Sequence, residues 1–190
     1  MIIEVLRLSH RLPRDERIST HVALVARAFG ASAITYTGQH DAGFELSVAN
    51  ICKRWGGRAV SGSGFSVSYE KSAVSVIKAK KREGYMVVHL TMYGLPLMKE
   101  LDRIRAQGPE TGKPVLVIVG SEHVPGEIYQ LADFNIAVTN QPHSEVAALA
   151  ILLDRLMGGR ELEGEGGGFD FKGELRVVPS ERGKRFAGGG

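Results

Sequence analysis

The chain has one cysteine, Cys52, among its 190 residues, and it has no run of 18 or more apolar residues. A single cysteine cannot form an internal disulfide, and a membrane-spanning helix requires about 20 consecutive, mostly apolar residues. The amino-terminal segment MIIEVLRLSHR also lacks the basic leader and apolar block of a secretory signal. These absences predict a cytoplasmic protein in a reducing environment, with no membrane partner.

Several motifs that carry chemistry are missing as well. The six histidines show no metal-ligand spacing and the lone cysteine cannot build a thiolate site, so no bound metal is expected. There is no GxxxxGK[ST] phosphate loop and no GxSxG nucleophile elbow. The segment GSGFSV (62–67) lacks the third glycine of a dinucleotide-binding fingerprint. A hydrolase with a serine nucleophile therefore has little support.

The sequence does contain a series of strand patterns alternating with helical ones. YMVVHLT (85–91) and PVLVIVG (114–120) are continuous apolar runs bounded by turns, which are typical of strands covered on both faces. IIEVLRL (2–8), SAITYT (32–37) and FNIAVTN (134–140) also have β character. This alternation predicts an α/β fold with a mostly parallel sheet and helices on both faces.

Turn and capping residues predict where several other segments begin and end. Ser19 or Thr20 is predicted to cap a helix that ends at Gly30. The pattern in residues 58–69 is ambiguous, whereas EKSAVSVIKAKKRE (70–83) predicts a basic amphipathic helix. Beyond the glycine-rich segment at 158–168, which is typical of a linker, FKGELRVVPSERGKRF predicts an extended segment or a hairpin.

The stretch NQPHSEVAALAILLDRL (140–156) begins as a polar loop and continues with apolar residues at the spacing of one buried helical face. Asn140 is suited to cap this helix and Pro142 to its first turn. Capping gives no role to Gln141 or His143, and a helix amino terminus with spare N–H donors also suits a ligand. Local pattern alone leaves both interpretations open.

Basic residues are unevenly distributed, although the formal net charge is only +3. Eight lysines and arginines lie between positions 50 and 82 against one acid, Glu70, and a second basic set lies in the first thirty residues. The first set is Lys53, Arg54, Arg58, Lys71, Lys78, Lys80, Lys81 and Arg82, and the second is Arg7, Arg11, Arg14, Arg17 and Arg27. Any one run is typical of a solvated helix face, but two clusters together favour a polyanionic partner.

Three strands in the second half of the chain end in loops with distinctive residues, namely HLTMYG (89–94), VGSEHVPGE (119–127) and VTNQPHSE (138–145). The carboxyl ends of parallel strands lie at one edge of a sheet, where ligands bind. Each loop alone is ordinary turn chemistry. Together, the three loops favour one small-molecule site.

Four blocks of the sequence resemble the archaeal tRNA cytidine-56 ribose 2'-O-methyltransferases, a family of the SPOUT superfamily. The blocks are RLSHRLPRDERISTHVALVARAFGA (7–31), HLTMYG, IVGSEHVP and NQPHSEVAALAILLDRL. The resemblance extends over nearly the whole chain, and the departures are confined to residues 38–84 and 158–168. Because these departures lie outside the cofactor blocks, they bear on how tRNA is bound.

The resemblance implies S-adenosylmethionine as methyl donor, tRNA as substrate, a homodimer, and a C-terminal trefoil knot. Periodicity alone does not predict a knot, since knots are rare in protein folds. By resemblance, the cofactor pocket is formed by Leu90, Gly120, Ser121, Glu122, His123, Val124, Val138, Thr139, Asn140, Gln141, Pro142, His143 and Ser144. By resemblance, an arginine of the opening block is the proton acceptor or phosphate anchor, and Arg7, Arg11, Arg14 and Arg17 compete for that role. Arg17 is favoured to act on the 2'-hydroxyl, with Arg14 and Arg11 as phosphate ligands.

Several alternatives remain at this point. His21 is a second candidate base, against a role in capping and packing. An arginine rarely loses its proton, so Arg17 can orient the hydroxyl while phosphate or water accepts the proton. A non-catalytic RNA-binding module and a methyltransferase acting on a base nitrogen of another RNA are rival functions. The expected domains are a methyltransferase domain at 1–157 and a glycine-rich linker with a short basic extension at 158–190.

Overall fold

The computed structural model describes residues 1–57, 64–120, 123–163 and 171–188, which form eight strands and six α-helices. The strands are β1 (Ile3–His10), β2 (Ala33–Gly38), β3 (Ser66–Tyr69), β4 (Met86–Pro96), β5 (Val115–Val119), β6 (Phe134–Ala137), β7 (Leu175–Val178) and β8 (Arg185–Gly188). The helices are α1 (Glu16–Ala28), α2 (Ala42–Trp55), α3 (Ala73–Arg82), α4 (Leu97–Gln107), α5 (Gly126–Leu131) and α6 (Glu145–Met157).

Six strands form one sheet in the order β3-β2-β1-β5-β4-β6, and every neighbouring pair is parallel. The prediction of a mostly parallel α/β sheet is confirmed. Because all six strands run the same way, the loops that follow β1, β4, β5 and β6 emerge at the same edge.

Both faces of the sheet are covered by helices. Alternate residues of β5 point to opposite faces, so that Val115 and Val117 pack under α1, α2, α4 and α6, whereas Leu116 and Ile118 pack under α3 and α5. Strands buried on both faces need apolar residues at every position. This is why β5 reads as a continuous apolar run.

Two of the predicted helix starts are wrong. α1 begins at Glu16 rather than after Ser19 or Thr20, and Ser19 is fully buried inside the helix, where its hydroxyl bonds to the ring of His10. The cap of α6 is Ser144, whose side chain accepts a hydrogen bond from the Val146 N–H. Asn140 does not cap α6, because its side chain instead contacts the Met92 carbonyl oxygen in another loop, and Pro142 precedes the first turn of the helix.

The C-terminal hairpin is confirmed, with β7 and β8 paired antiparallel. The ambiguous segment 58–69 contains β3, but its first part, 58–63, lies outside the described residues. The glycine-rich segment contains a short 3-10 turn, Arg160–Leu162, and residues 164–170 also lie outside the described ranges.

Within the described ranges, none of the helices combines the length and apolar character needed to cross a bilayer. The trefoil knot stays a prediction from the resemblance.

Candidate active site

A cavity of about 440 Å³ lies at the edge of the sheet where β4, β5 and β6 end. Its volume is within the range of about 300–1,000 Å³ that is usual for small-molecule sites. The wall is formed by Ile18, Leu90, Thr91, Met92, Tyr93, Val119, Gly120, Val124, Tyr129, Ile136, Val138, Pro142, His143, Ser144, Glu145 and Ala148. The wall is largely apolar, with a few polar groups that can orient a ligand.

The three loops singled out in the sequence all contribute to this cavity. The predicted cofactor residues on its wall are Leu90, Gly120, Val124, Val138, Pro142, His143 and Ser144. His123, Thr139, Asn140 and Gln141 belong to the same loops without forming the wall, and all four are exposed. Ser121 and Glu122 lie outside the described residues.

The floor of the cavity includes a segment of β4 that leaves the sheet. Leu90 and Leu95 both pair with Ile136 of β6, so that the four residues between them bulge out, and three of the four line the cavity. Gly94 closes the bulge against β6, and a Cβ at this position would lie 2.5 Å from backbone atoms of Asn135. A larger residue would therefore push the bulge away from the sheet.

Asn140 connects this bulge to the loop ahead of α6. Its side-chain amide donates hydrogen bonds to the carbonyl oxygens of Met92, at 2.7 Å, and Gly94, at 3.0 Å. These contacts explain why Asn140 is polar although it does not cap α6. Asn140 therefore sets the relative position of two cavity loops that are far apart in the sequence.

A buried ion pair joins three of the loops beneath the cavity. Arg7, 1% exposed, donates from Nη1 to the Gly120 carbonyl oxygen at 2.8 Å and lies 3.0 Å from Glu145 Oε2. Burial lowers the pKa of Arg7 and raises the pKa of Glu145, and the attraction between them only partly offsets this effect. The pair thus ties the end of β1 and the start of α6 to the β5 loop.

A second buried group supports the cavity from β4. His89 is fully buried, its Nδ1 lies 2.8 Å from Asn135 Oδ1, and its ring meets the ring of Tyr129 edge-on. Burial lowers the pKa of His89, which keeps the imidazole neutral at neutral pH. Tyr129 is held in turn by a 3.2 Å contact between its hydroxyl and Thr91 Oγ1. His89 therefore positions Tyr129 and Thr91, two residues of the wall.

The arginine-rich segment lies beside a second cavity, also of about 440 Å³. Arg17 and His21 are exposed on α1 and line this cavity together with Asp41 and Phe44. α1 separates the two cavities, since Ile18 faces the first one. Within this chain the catalytic candidates and the predicted cofactor pocket therefore lie on different sides of α1.

Arg11 and Arg14 occupy the turn between β1 and α1. Arg11 Nε donates to Asp15 Oδ2 at 3.1 Å, and Arg14 is exposed. Burial alone would raise the pKa of Asp15, but Arg11 and Arg7 more than compensate and hold it below its usual value. Asp15 thus stays ionised and fixes Arg11 at the start of α1.

His10 fixes the base of the same turn. It is fully buried, with Nδ1 2.8 Å from Ser19 Oγ and Nε2 3.1 Å from Asp41 Oδ2. Asp41 also accepts a hydrogen bond from the Phe44 N–H and thereby caps α2. The His10 imidazole therefore joins β1, α1 and the start of α2. Its bond to Ser19 fixes both ends of the segment between these two residues, which contains Arg11, Arg14 and Arg17.

Sequence reasoning missed several wall residues, among them Thr91, Tyr129 and Glu145. Thr91 and Glu145 each directly follow a predicted cofactor residue, Leu90 and Ser144 respectively, so the sequence signal lay one position away. Tyr129 carried no signal, because its place on the wall depends on the packing of α5 beside β4.

Comparison with known proteins decides the family. The family model described as tRNA ribose 2'-O-methyltransferase, aTrm56, matches residues 55–187. The chain belongs to this family. A family member from Methanopyrus kandleri, named tRNA (cytidine(56)-2'-O)-methyltransferase, is 48% identical over 95% of this chain and 93% of its own length. A relative of the same name from Thermococcus kodakarensis is 45% identical over 97% of this chain and 96% of its own length.

More distant proteins of known structure share the fold of this aTrm56-family chain. The A. aeolicus TrmH/SpoU tRNA modifying enzyme superposes with a TM-score of 0.56 at 15% identity, covering 88% of this chain and 79% of that one. The SpoU methyltransferase AviRb from Streptomyces viridochromogenes, solved in complex with AdoMet, has a TM-score of 0.53 at 15% identity, covering 86% and 58% of the two chains. At this identity the likeness establishes the SpoU/TrmH fold.

Proposed function

We propose that this protein transfers a methyl group from S-adenosylmethionine to the ribose 2'-hydroxyl of cytidine 56 in tRNA. The observation that carries the proposal is the identity of 44–48% over nearly the whole chain to relatives that bear this activity in their names. The convergence of three loops on one cavity supports it independently of the names.

The first cavity suits S-adenosylmethionine in the chemistry of its wall. Apolar side chains such as Leu90, Ile136 and Val138 can pack against the adenine ring and the methionine chain. S-adenosylmethionine carries a sulfonium and an ammonium group, and the wall includes Glu145, whose carboxylate is shared with Arg7. The hydroxyls of Thr91 and Tyr129 are available for ribose and carboxylate groups. Bound there, the cofactor supplies an activated methyl group that needs no metal.

This chain must then align the 2'-hydroxyl with the methyl group and remove the hydroxyl proton. Alignment accounts for most of the acceleration in such a reaction. Arg17 would orient the ribose oxygen through its guanidinium N–H groups, while Arg11 and Arg14 bind the flanking phosphates. His21 shares the second cavity with Arg17 and can accept a proton, as can phosphate or water.

We further propose a homodimer in which the partner brings its second cavity to this protomer's cofactor. Three apolar residues within six positions support it, since Tyr93, Leu95 and Met98 are 77%, 56% and 70% exposed, and Tyr93 also lines the cavity. Clustered apolar residues of this kind mark interaction sites. The separation of Arg17 from the first cavity within one protomer also favours a site shared between two protomers.

Light scattering at micromolar concentration should show a dimer, and Met98→Glu should shift it toward monomer because a buried charge opposes association. Leu162→Glu is the matched control, since Leu162 is 68% exposed elsewhere on the surface. A complementation experiment tests the shared site. Thr91→Trp should fill the first cavity and block the cofactor, whereas Arg17→Ala leaves that cavity open. Mixing the two inactive proteins should restore activity, because one site of the mixed dimer combines the open cavity of the Arg17→Ala protomer with the intact Arg17 of the other protomer. A fully active monomer would contradict the proposal.

Replacing Asn140 with alanine is expected to weaken S-adenosylmethionine binding more than it lowers stability. The variant loses two hydrogen bonds that hold the cavity loops together, each worth about 0.5–1.5 kcal/mol. Titration calorimetry should show an affinity lower by roughly 5- to 100-fold, with a small change in melting temperature. Pro142→Gly should act in the same direction by loosening the loop. Gln107→Ala serves as the control, because Gln107 is exposed at the end of α4 and lines neither cavity. A large fall in melting temperature with unchanged affinity would assign Asn140 a purely structural role.

The activity itself is tested by mapping the methylated nucleotide in tRNA after incubation with labelled S-adenosylmethionine. Methylation of the ribose at cytidine 56 is expected, and a substrate with 2'-deoxycytidine at this position should accept no methyl group. Label on a base nitrogen, or binding of tRNA with no transfer, would contradict the proposal. A methyltransferase domain at 1–157, a C-terminal extension at 158–190, the knot and a cytoplasmic location are parts of the same proposal.

A further inference from the structure

The basic helix α3 is a poor candidate for binding phosphates, although its lysines stand out in the sequence. Lys78 lies 3.0 Å from Glu127, Lys80 lies 2.9 Å from Glu4, and Lys81 pairs with Asp133 at 2.6 Å. The Lys78–Glu127 pair joins α3 to α5, and the Lys81–Asp133 pair joins α3 to the residue that precedes β6. These positive charges are therefore largely neutralised within the chain.

The C-terminal hairpin has the opposite character. Residues 171–188 contain five lysines and arginines against two acids, Glu174 and Glu181. Arg182, Lys184 and Arg185 are exposed at the turn and at the start of β8. Within the part of the chain that the structure describes, no carboxylate lies within ion-pair distance of these three side chains. Their charge is thus available to an anionic partner.

Two aromatic rings meet where the hairpin packs against the end of α2. The rings of Trp55, the last residue of α2, and Phe186 of β8 are 5.8 Å apart, and the Arg54 guanidinium lies 5.4 Å from the Trp55 ring. Phe186 is 53% exposed. An exposed ring near cations can stack on an unpaired base beside a bound phosphate backbone. Phe186 is such a ring, and the half-buried Trp55 packs against it.

The hairpin is firmly seated on the end of α2. A Cβ at Gly56 would overlap the Phe171 carbonyl oxygen, and one at Gly173 would overlap the Gly56 nitrogen, so only glycines permit this approach. Arg27 Nη1 donates to the Gly56 carbonyl oxygen at 2.6 Å, and its guanidinium lies over the Phe171 ring. The rings and cations are thus presented in a defined arrangement.

The length of α2 separates this surface from the candidate catalytic residues. α2 has 14 residues, which corresponds to about 21 Å at 1.5 Å per residue. Its first end, at Asp41, adjoins Arg17 and His21, and its last end carries Trp55. A ligand that touches both ends must therefore span about 21 Å. The cations near both ends favour an extended polyanion such as a folded RNA.

We propose that Arg54, Trp55, Arg182, Lys184, Arg185 and Phe186 form a hairpin surface that binds the substrate tRNA away from its target nucleotide. The cations contact phosphates, and the rings stack on an unpaired base. The surface sets the affinity for tRNA and takes no part in methyl transfer. This inference rests on the proposed function, because it takes tRNA as the substrate.

The test compares two double variants that remove the same charge. Arg182→Ala/Lys184→Ala should weaken tRNA binding and reduce the slope of log affinity against log salt by roughly 2, about 1 for each phosphate that is no longer bound. Lys78→Ala/Lys81→Ala changes the net charge equally, but it should leave the slope near the wild-type value. The kcat at saturating tRNA should stay unchanged in both.

A second comparison isolates the stacking. Phe186→Ala should lower tRNA affinity by roughly 5-fold or more, and Phe186→Tyr should retain it, because a base stacks on either ring. Circular dichroism and the melting temperature of each variant report whether the protein as a whole remains folded.

The outcomes separate this inference from the proposed function. A wild-type protein that neither binds nor methylates tRNA would contradict the function itself. Wild-type activity together with an unchanged slope for Arg182→Ala/Lys184→Ala would overturn the hairpin surface alone. So would loss of dimerisation in the hairpin variants with unchanged tRNA binding, since that result would assign the surface to a second copy of the chain.

Discussion

Replacing Arg17 with alanine is expected to lower kcat by about 100-fold or more while S-adenosylmethionine still binds. Removing one positioned donor from a reacting oxygen typically costs about 10²–10³ in rate. Arg17 lines the second cavity and lies outside the wall of the first, so the cofactor affinity should not change. Single-turnover methylation at saturating tRNA measures the first quantity, and calorimetry measures the second.

Variants of the other arginines show whether the effect on the rate is specific to Arg17. Arg11→Ala and Arg14→Ala should also slow methyl transfer strongly if they bind the phosphates that flank the target ribose. Arg82→Ala is the control, because Arg82 is exposed at the end of α3. Arg17→Lys keeps the positive charge but loses the forked donor geometry, so it should recover only part of the rate. Equal modest losses at all four positions would mean that no arginine has a special catalytic place.

His21 is distinguished from Arg17 by the pH dependence of the rate. If His21 accepts the hydroxyl proton, His21→Gln should remove a limb of the pH–rate profile as well as lower kcat. If the proton passes to phosphate or water, the profile of His21→Gln should keep the wild-type shape.

Replacing Arg7 with alanine should have the largest effect on stability. Removing one partner of a buried ion pair typically costs about 3–5 kcal/mol, because the remaining charge is left without compensation. Here Glu145 and the Gly120 carbonyl oxygen both lose their partner. Denaturant unfolding should show this loss, and cofactor affinity should fall with it because Glu145 and Gly120 line the cavity.

A matched series separates the charge from the packing. Arg7→Met/Glu145→Gln should be far more stable than Arg7→Ala, since replacing both members of a buried pair with uncharged residues is often nearly neutral. A double variant that is no more stable than Arg7→Ala would show that the long side chain of Arg7, rather than its charge, supports the loops.

The pH dependence of stability provides a further check on this pair. Burial raises the pKa of Glu145 above its usual value, and loss of Arg7 removes an interaction that lowers it. A carboxyl whose folded pKa is raised favours folding while it is protonated, and this contribution is lost as pH rises through the folded pKa. The deficit of Arg7→Ala relative to wild type should therefore shrink as the pH is lowered from neutrality through the pKa of Glu145 in the variant.

Local patterns in the sequence were sufficient for five of the six strands of the sheet, all but β3, and for the loops that meet at its edge. Apolar runs such as 114–120 predicted strands covered on both faces, and the parallel arrangement then brought Leu90, Gly120 and Val138 to one cavity. These features depend on residues close together in the chain and on the general rule that parallel strands end at one edge. The family resemblance came from the same contiguous blocks.

Only the tertiary structure decided which polar groups are partnered. The amide of Asn140 bonds to the carbonyls of Met92 and Gly94 instead of capping α6. Lys81 on the basic helix pairs with Asp133. Arg7, one of several arginines in its block, is the buried one. Each partner lies about 50 or more positions away along the chain, and hydrophobic periodicity carries no information about contacts at that separation. Sequence therefore determined where the site forms, and long-range packing determined which side chains hold it together.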